Sequence, residues 1–231
     1  VGRKSLSSTG KEIPESVDYF IATGNYSHYF TEAFGEKPNS IEVVFLSDDL
    51  SETCRERFEL RQGSKLFAYG DGVDFRVYSP EVDDYIDMNM RENSEEIKAL
   101  NKTVGSKWET VLTLFFLIPK IRGVFGAWQL TTKGVKSSIP TIKTSFDFVQ
   151  TLAGTVIGIP FDLTVEKVVS NKPESKNRYP VIKLVANISQ GHLDKVKEFI
   201  SDKHAFMGLL TEDKIDTLAL TQVEQGVKNE G

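Results

Sequence analysis

From Trp108 to Ile118 the chain reads Trp-Glu-Thr-Val-Leu-Thr-Leu-Phe-Phe-Leu-Ile, and Pro119 follows at once. A long apolar run that a proline cuts short reads as a central strand, covered on both faces by the rest of the fold. A strand of that kind needs partners on both edges, and the remaining sequence supplies them. Ile41 to Leu46 is β-branched and bounded by Pro38-Asn-Ser and Ser47-Asp-Asp. Lys65 to Tyr69 and Val73 to Tyr78 flank Gly70-Asp-Gly72, where glycine permits the positive backbone angles of a tight hairpin. Val124 to Thr132 alternates, and its internal glycine, Gly126, suggests a bulge or close backbone approach. Ile159 to Val169 and Tyr179 to Ala186 alternate as well, joined by a polar Ser170 to Arg178 link that reads as an exposed hairpin loop.

Helical signals are fewer. Glu52 to Leu60 reads as a short charged helix and Glu92 to Leu100 as another of weak character. Phe146, Val149, Leu152 and Ala153 share one face of an amphipathic helix over Ser145 to Thr155, capped by Thr144 or Ser145 and ended by Gly154. Leu193, Val196, Phe199 and Ile200 form the stripe of a last helix, Leu193 to Lys203. Consecutive strands with few helices give an α+β class. Its sheet is mainly antiparallel, or is closed into a small barrel of the oligonucleotide-binding kind, with a few short amphipathic helices. Residues 1–16 are polar and read as a flexible arm, 17–189 as the β-rich core domain, and 190–231 as a helical appendage and tail.

Hydrophobic content of 39%, with fifteen Phe and seven Tyr, supplies a real core and excludes global disorder. No run reaches the roughly 18 apolar residues of a membrane helix, the nearest being Val111 to Ile118, so the reading is of a protein with no membrane partner. Cys54 is the only cysteine, which excludes an internal disulfide and fits a reducing compartment or a disulfide-free secreted protein equally; the cytoplasm is the expectation. One cysteine with His28, His192 and His204 gives no zinc-ligand spacing, and neither a phosphate loop nor an activated thiol pair is present. The expectation is a protein without catalytic residues, metal or cofactor.

Charge is distributed unevenly. Glu81, Asp83, Asp84, Asp87, Glu92, Glu95 and Glu96 crowd one stretch against a lone Arg91, whereas Pro119 to Phe146 carries Lys120, Arg122, Lys133, Lys136 and Lys143 and no acid. The total of -5 argues against coating duplex DNA by charge alone. The basic segment also holds Phe125 and Trp128. Two readings stand for these rings: core packing beside lysines that merely solubilise, or stacking faces beside cations, as in single-strand binders. Arg122, Phe125, Trp128, Lys133, Lys136 and Lys143 are therefore the candidate contacts to nucleic acid or a partner.

The order of several short motifs carries a resemblance. Leu117-Ile-Pro119, Gly126-Ala-Trp-Gln-Leu-Thr-Thr132, Ser137-Ser-Ile139, Phe146-Asp-Phe-Val149 and Gly154-Thr-Val-Ile-Gly-Ile-Pro-Phe-Asp-Leu163 together resemble the carboxy-terminal half of the phage recombination directionality factor-like proteins. Asp18-Tyr-Phe20, Phe34-Gly-Glu-Lys-Pro38 and Leu66 to Gly72 agree with the amino-terminal half, so the resemblance covers about Pro14 to Ala186. It implies a phage or prophage recombination accessory protein, working in the cytoplasm of a bacterial host. Such a protein binds a serine integrase, favours excision and performs no bond chemistry. Many relatives carry a cysteine cluster before the long central strand; Tyr78 to Lys107 here has none, so a metal role does not transfer. The competing reading is a single-stranded DNA-binding protein of phage replication or recombination.

Overall fold

The computed structural model describes residues 2–6, 12–124, 126–170 and 177–187, with isolated positions between 191 and 201. Two compact units divide the chain: 1–151 with 155–187, and 152–154 with 188–231. In the second unit Gly191, Asp194, Lys195, Glu198 and Ser201 are helical, while the expected stripe of Leu193, Val196, Phe199 and Ile200 lies outside the described residues.

The first unit opens with a hairpin of β1 (Gly2–Leu6) and β2 (Glu12–Ser16), where an arm was expected. Then follow α1 (Ser27–Phe34), β3 (Ser40–Val43), α2 (Leu50–Thr53), β4 (Cys54–Gln62), β5 (Lys65–Gly70), β6 (Asp74–Ser79), β7 (Asp84–Asn89) and α3 (Ser94–Val104). β8 (Glu109–Phe116), β9 (Trp128–Thr132), α4 (Ser138–Ala153), β10 (Phe161–Val169) and β11 (Arg178–Ala186) complete it. Six strands form one antiparallel sheet in the order β7-β6-β5-β4-β8-β9, and three form another, β11-β10-β3. The long apolar run is indeed an interior strand, β8, held between β4 and β9.

The barrel alternative fails. The two sheets meet where Val44, just past β3, bridges Leu117, just past β8, and this single bridge leaves β7, β9 and β11 as free sheet edges among the described residues. Two sequence-based helices also change. The charged segment read as helical over Glu52 to Leu60 contributes one turn, α2, after which β4 begins. Asp49 caps that turn by accepting the Ser51 N–H at 2.7 Å. The helix expected from Ser145 starts at Ser138, because Pro140 lies in its first turn, where a missing N–H costs nothing.

α3 and α4 seal different parts of the core. Leu60, Ala68 and Val77 lie side by side across β4, β5 and β6, and Ile97 of α3 packs on that row with Phe75. At the other end the rings of Phe45, Phe146 and Phe161 form a closed triangle, with centroids 4.6, 5.3 and 5.9 Å apart. α4 is pinned to β11 by polar contacts: the Ser138 hydroxyl accepts the Ile182 N–H at 2.9 Å, and the Ser145 hydroxyl donates to the Leu184 carbonyl. Asp48 ties the stretch after β3 to that after α4, accepting the Val156 N–H at 2.6 Å and the Thr155 hydroxyl at 2.8 Å.

The expected β5–β6 hairpin is present, and its turn shows why glycine is required. Asp71 accepts the N–H groups of Val73 and Asp74, each at 2.8 Å, and Gly72 adopts φ +105°. A β-carbon on Gly70 would come within 2.3 Å of the Asp74 carbonyl oxygen and 2.5 Å of the Phe75 ring. Gly70→Ala is expected to cost about 1–3 kcal/mol by overpacking, read as a lower denaturation midpoint.

Candidate functional site

β4 alternates. Cys54 and Leu60 point into the buried side, whereas Arg55, Arg57 and Glu59 lie on the outer face of the six-stranded sheet. Register lines up their neighbours: Glu59 lies beside Tyr69, Tyr69 beside Arg76, and Arg76 beside Asp87. Across β8, Arg55 pairs with Thr113 and Arg57 with Val111, both of which are buried.

The resulting surface is a set of arginines laid over rings and fixed by carboxylates. The Arg55 guanidinium lies 5.0 Å from the Phe115 ring centroid, and that of Arg57 lies 4.7 Å from Tyr69. Glu59 is only 3% exposed and is clamped from both sides. Arg57 donates to Oε1 through Nε at 2.8 Å and Nη2 at 2.7 Å; Arg61, past a bulge, donates to Oε2 through the same two atoms at 2.9 Å each. Burial pushes the Glu59 carboxyl up, but the hydrogen bonds and charges of Arg57 and Arg61 outweigh it and hold the group below its ordinary value. Arg76 donates to Asp87 at 3.0 Å, and Tyr85, in edge contact with Tyr69 and Tyr78, donates its hydroxyl to the Leu66 carbonyl at 2.7 Å.

Beside this surface β4 changes partner. It pairs with β8 from Cys54 to Glu59 and with β5 from Phe58 to Gln62, so that only Phe58 and Glu59 are flanked on both sides. A groove of about 910 Å³ occupies the gap, lined by Cys54, Arg55, Glu56 and Arg57 on one wall and by the ends of β5, β6 and β7 on the other. Lys143 of α4 reaches into it and pairs with Glu56 at 2.7 Å. The Cys54 thiol is buried, and burial pushes its pKa up to about 12, so it is a packing group. In native protein at pH 8, Cys54 is expected to resist maleimide while unfolded protein reacts at once, as mass spectrometry would report.

Of the six residues expected from sequence, the five that are described are not brought to one site. Trp128 opens β9, half-buried, with its ring 5.9 Å from that of Phe30, and it lines a separate groove of about 590 Å³ with residues of the Ile21 to Tyr26 loop. Arg122 and Lys136 are exposed in connecting segments. Lys133 pairs with Glu109 at 2.5 Å, and Lys143 belongs to the larger groove. Phe125 lies outside the described residues. Arg55, Arg57, Arg76, Tyr69 and Phe115 were missed, although the alternation of Arg55, Arg57 and Glu59 against Cys54, Phe58 and Leu60 was a strand signal. Among the described residues no group of three or more His, Cys, Asp and Glu side chains is placed to hold a metal ion, and no helix is long and apolar enough to cross a membrane.

A family model described as recombination directionality factor-like matches residues 1–187. No curated protein and no solved structure matches the chain.

Proposed function

The chain belongs to the recombination directionality factor-like family, and from that premise we propose that it is a phage or prophage accessory protein that binds a serine integrase and favours excision. The family match over 1–187 carries this reading. The outer sheet face supports it, because arginine and tyrosine held rigid by their neighbours are the residue types that dominate protein interfaces.

Such a protein needs no bond chemistry of its own. Recombination has two directions because the integrase forms different complexes on different pairs of DNA sites. An accessory protein that binds one complex about a hundredfold more tightly than the other shifts their balance by about 2.7 kcal/mol. That is enough to reverse the favoured product.

The test is a recombination assay with a serine integrase encoded on the same genetic element. Adding the protein is expected to switch on recombination between the excision sites and to suppress it between the integration sites. Absence of both binding and any change in direction would overturn the reading.

A further inference from the structure

We propose that the open edge of β9 at Trp128–Thr131 receives an extended, uncharged segment of the protein partner as an added strand. The proposal rests on the partnership inferred above and says where and how it is made.

Of the sheet edges at β7, β9 and β11, two are protected. β7 carries Asp84 and Asp87, and charge on an edge discourages another strand from pairing with it. β11 holds Pro180, and α4 occupies outward backbone groups of that strand: the Ser138 hydroxyl takes the Ile182 N–H and the Ser145 hydroxyl reaches the Leu184 carbonyl. β9, which reads Trp-Gln-Leu-Thr-Thr, has neither charge nor proline. Its backbone groups on the side away from β8 make no hydrogen bond among the described residues.

That edge borders the groove of about 590 Å³. Trp128, packed on Phe30, lines it from the inner face of the sheet, and Gln129 and Thr131 line it from the outer face, so the groove meets the strand edge-on. The opposite wall is the Ile21 to Tyr26 loop, none of whose N–H groups has a partner among the described residues. Unpaired main chain on both walls suits a polypeptide, which carries a donor and an acceptor at almost every residue.

Charge then selects the occupant. Every described residue lining the groove is uncharged, and Thr23, Asn25, Tyr26, Gln129 and Thr131 offer hydroxyls and amides. A carboxylate, ammonium or phosphate drawn in would shed water and meet no countercharge, which disfavours the backbone of a nucleic acid and selects neutral side chains. A second copy of this chain fits less well, because its β9 arrives with its own Ile21 to Tyr26 wall beside it. An extended segment of a partner enters alone. The position agrees with one partner covering both surfaces: Gln129 lies opposite Phe115, whose ring carries Arg55, so the groove adjoins the outer arginine and tyrosine face.

The test is amide hydrogen exchange on the full chain, with and without the serine integrase of the same element, together with the affinities of Asn25→Asp and Asn25→Lys. Asn25 is exposed, so both variants are expected to keep the parent's denaturation midpoint. In the complex, amides of Trp128–Thr131 are expected to exchange at least about tenfold more slowly. Both variants, opposite in charge, are expected to weaken binding by about tenfold or more, since either charge is buried without a partner. Weakening by one variant alone, or by neither, overturns the uncharged occupant. A complex that leaves the β9 amides unprotected overturns the added strand while the partnership stands. Protection by a single-stranded oligonucleotide, with none by the integrase, overturns it in favour of nucleic acid, and protection that grows with the protein's own concentration overturns it in favour of a second copy. Failure of the integrase to bind at all overturns the partnership on which the proposal rests.

Discussion

Replacing Phe146 by alanine is expected to lower stability by about 3–5 kcal/mol, the range for deleting a fully buried aromatic ring. Phe146 is 1% exposed and touches both Phe45, just past β3, and Phe161, at the start of β10. Removing it leaves a cavity bordered by two rings that cannot collapse onto each other without moving a strand. Phe148, two residues on and 61% exposed, is the matched control, and its alanine variant is expected to stay within about 0.5 kcal/mol of the parent. Urea denaturation of the pair measures the difference, and equal midpoints would contradict the packing described.

Glu59→Gln is expected to cost about 2–3 kcal/mol, the scale of hydrogen bonds to a charged group. The full penalty for breaking a buried pair does not apply, because the side chains of Arg57 and Arg61 keep 22% and 37% of their exposure. The effect depends on pH in a defined direction. The folded-state pKa of Glu59 lies below that of the unfolded chain, so the stabilisation is complete above the unfolded value of about 4.3 and disappears as pH falls through the folded one. The gap between parent and variant is therefore widest near neutrality and closes in acid. A gap independent of pH would mean that the carboxylate charge contributes nothing.

Sequence patterning identified β8, the β5–β6 hairpin and the β10–β11 pair, since each is a run of strand-forming residues between clear turn residues, whereas α3 gave only a weak helical signal. β4 was missed for a physical reason. Arg and Glu favour helices when exposed, and five of the nine residues of Cys54–Gln62 are one or the other, so composition masked the alternation. The start of α4 was missed because Pro140 reads as a breaker unless it is known to lie in the first turn. The site suffered most. Lysines close in sequence were grouped, yet Lys133 and Lys143 end on different carboxylates. Arg55, Tyr69, Arg76 and Phe115 meet only through strand register, which is a property of pairing between distant segments and leaves no local mark.

The small sheet sets the timing of assembly. β3 emerges early from the ribosome, but its strand partner is β10, with Ile41 opposite Leu163 and Val43 opposite Phe161. Until the Gly154 to Leu163 stretch is synthesised, the nascent chain holds a β-branched edge with nothing to pair against. A message truncated before β10 would release an aggregation-prone fragment with one core open, whereas one ending at residue 187 retains every strand described here. The Gly154 to Leu163 stretch is thus the latch that completes the amino-terminal half.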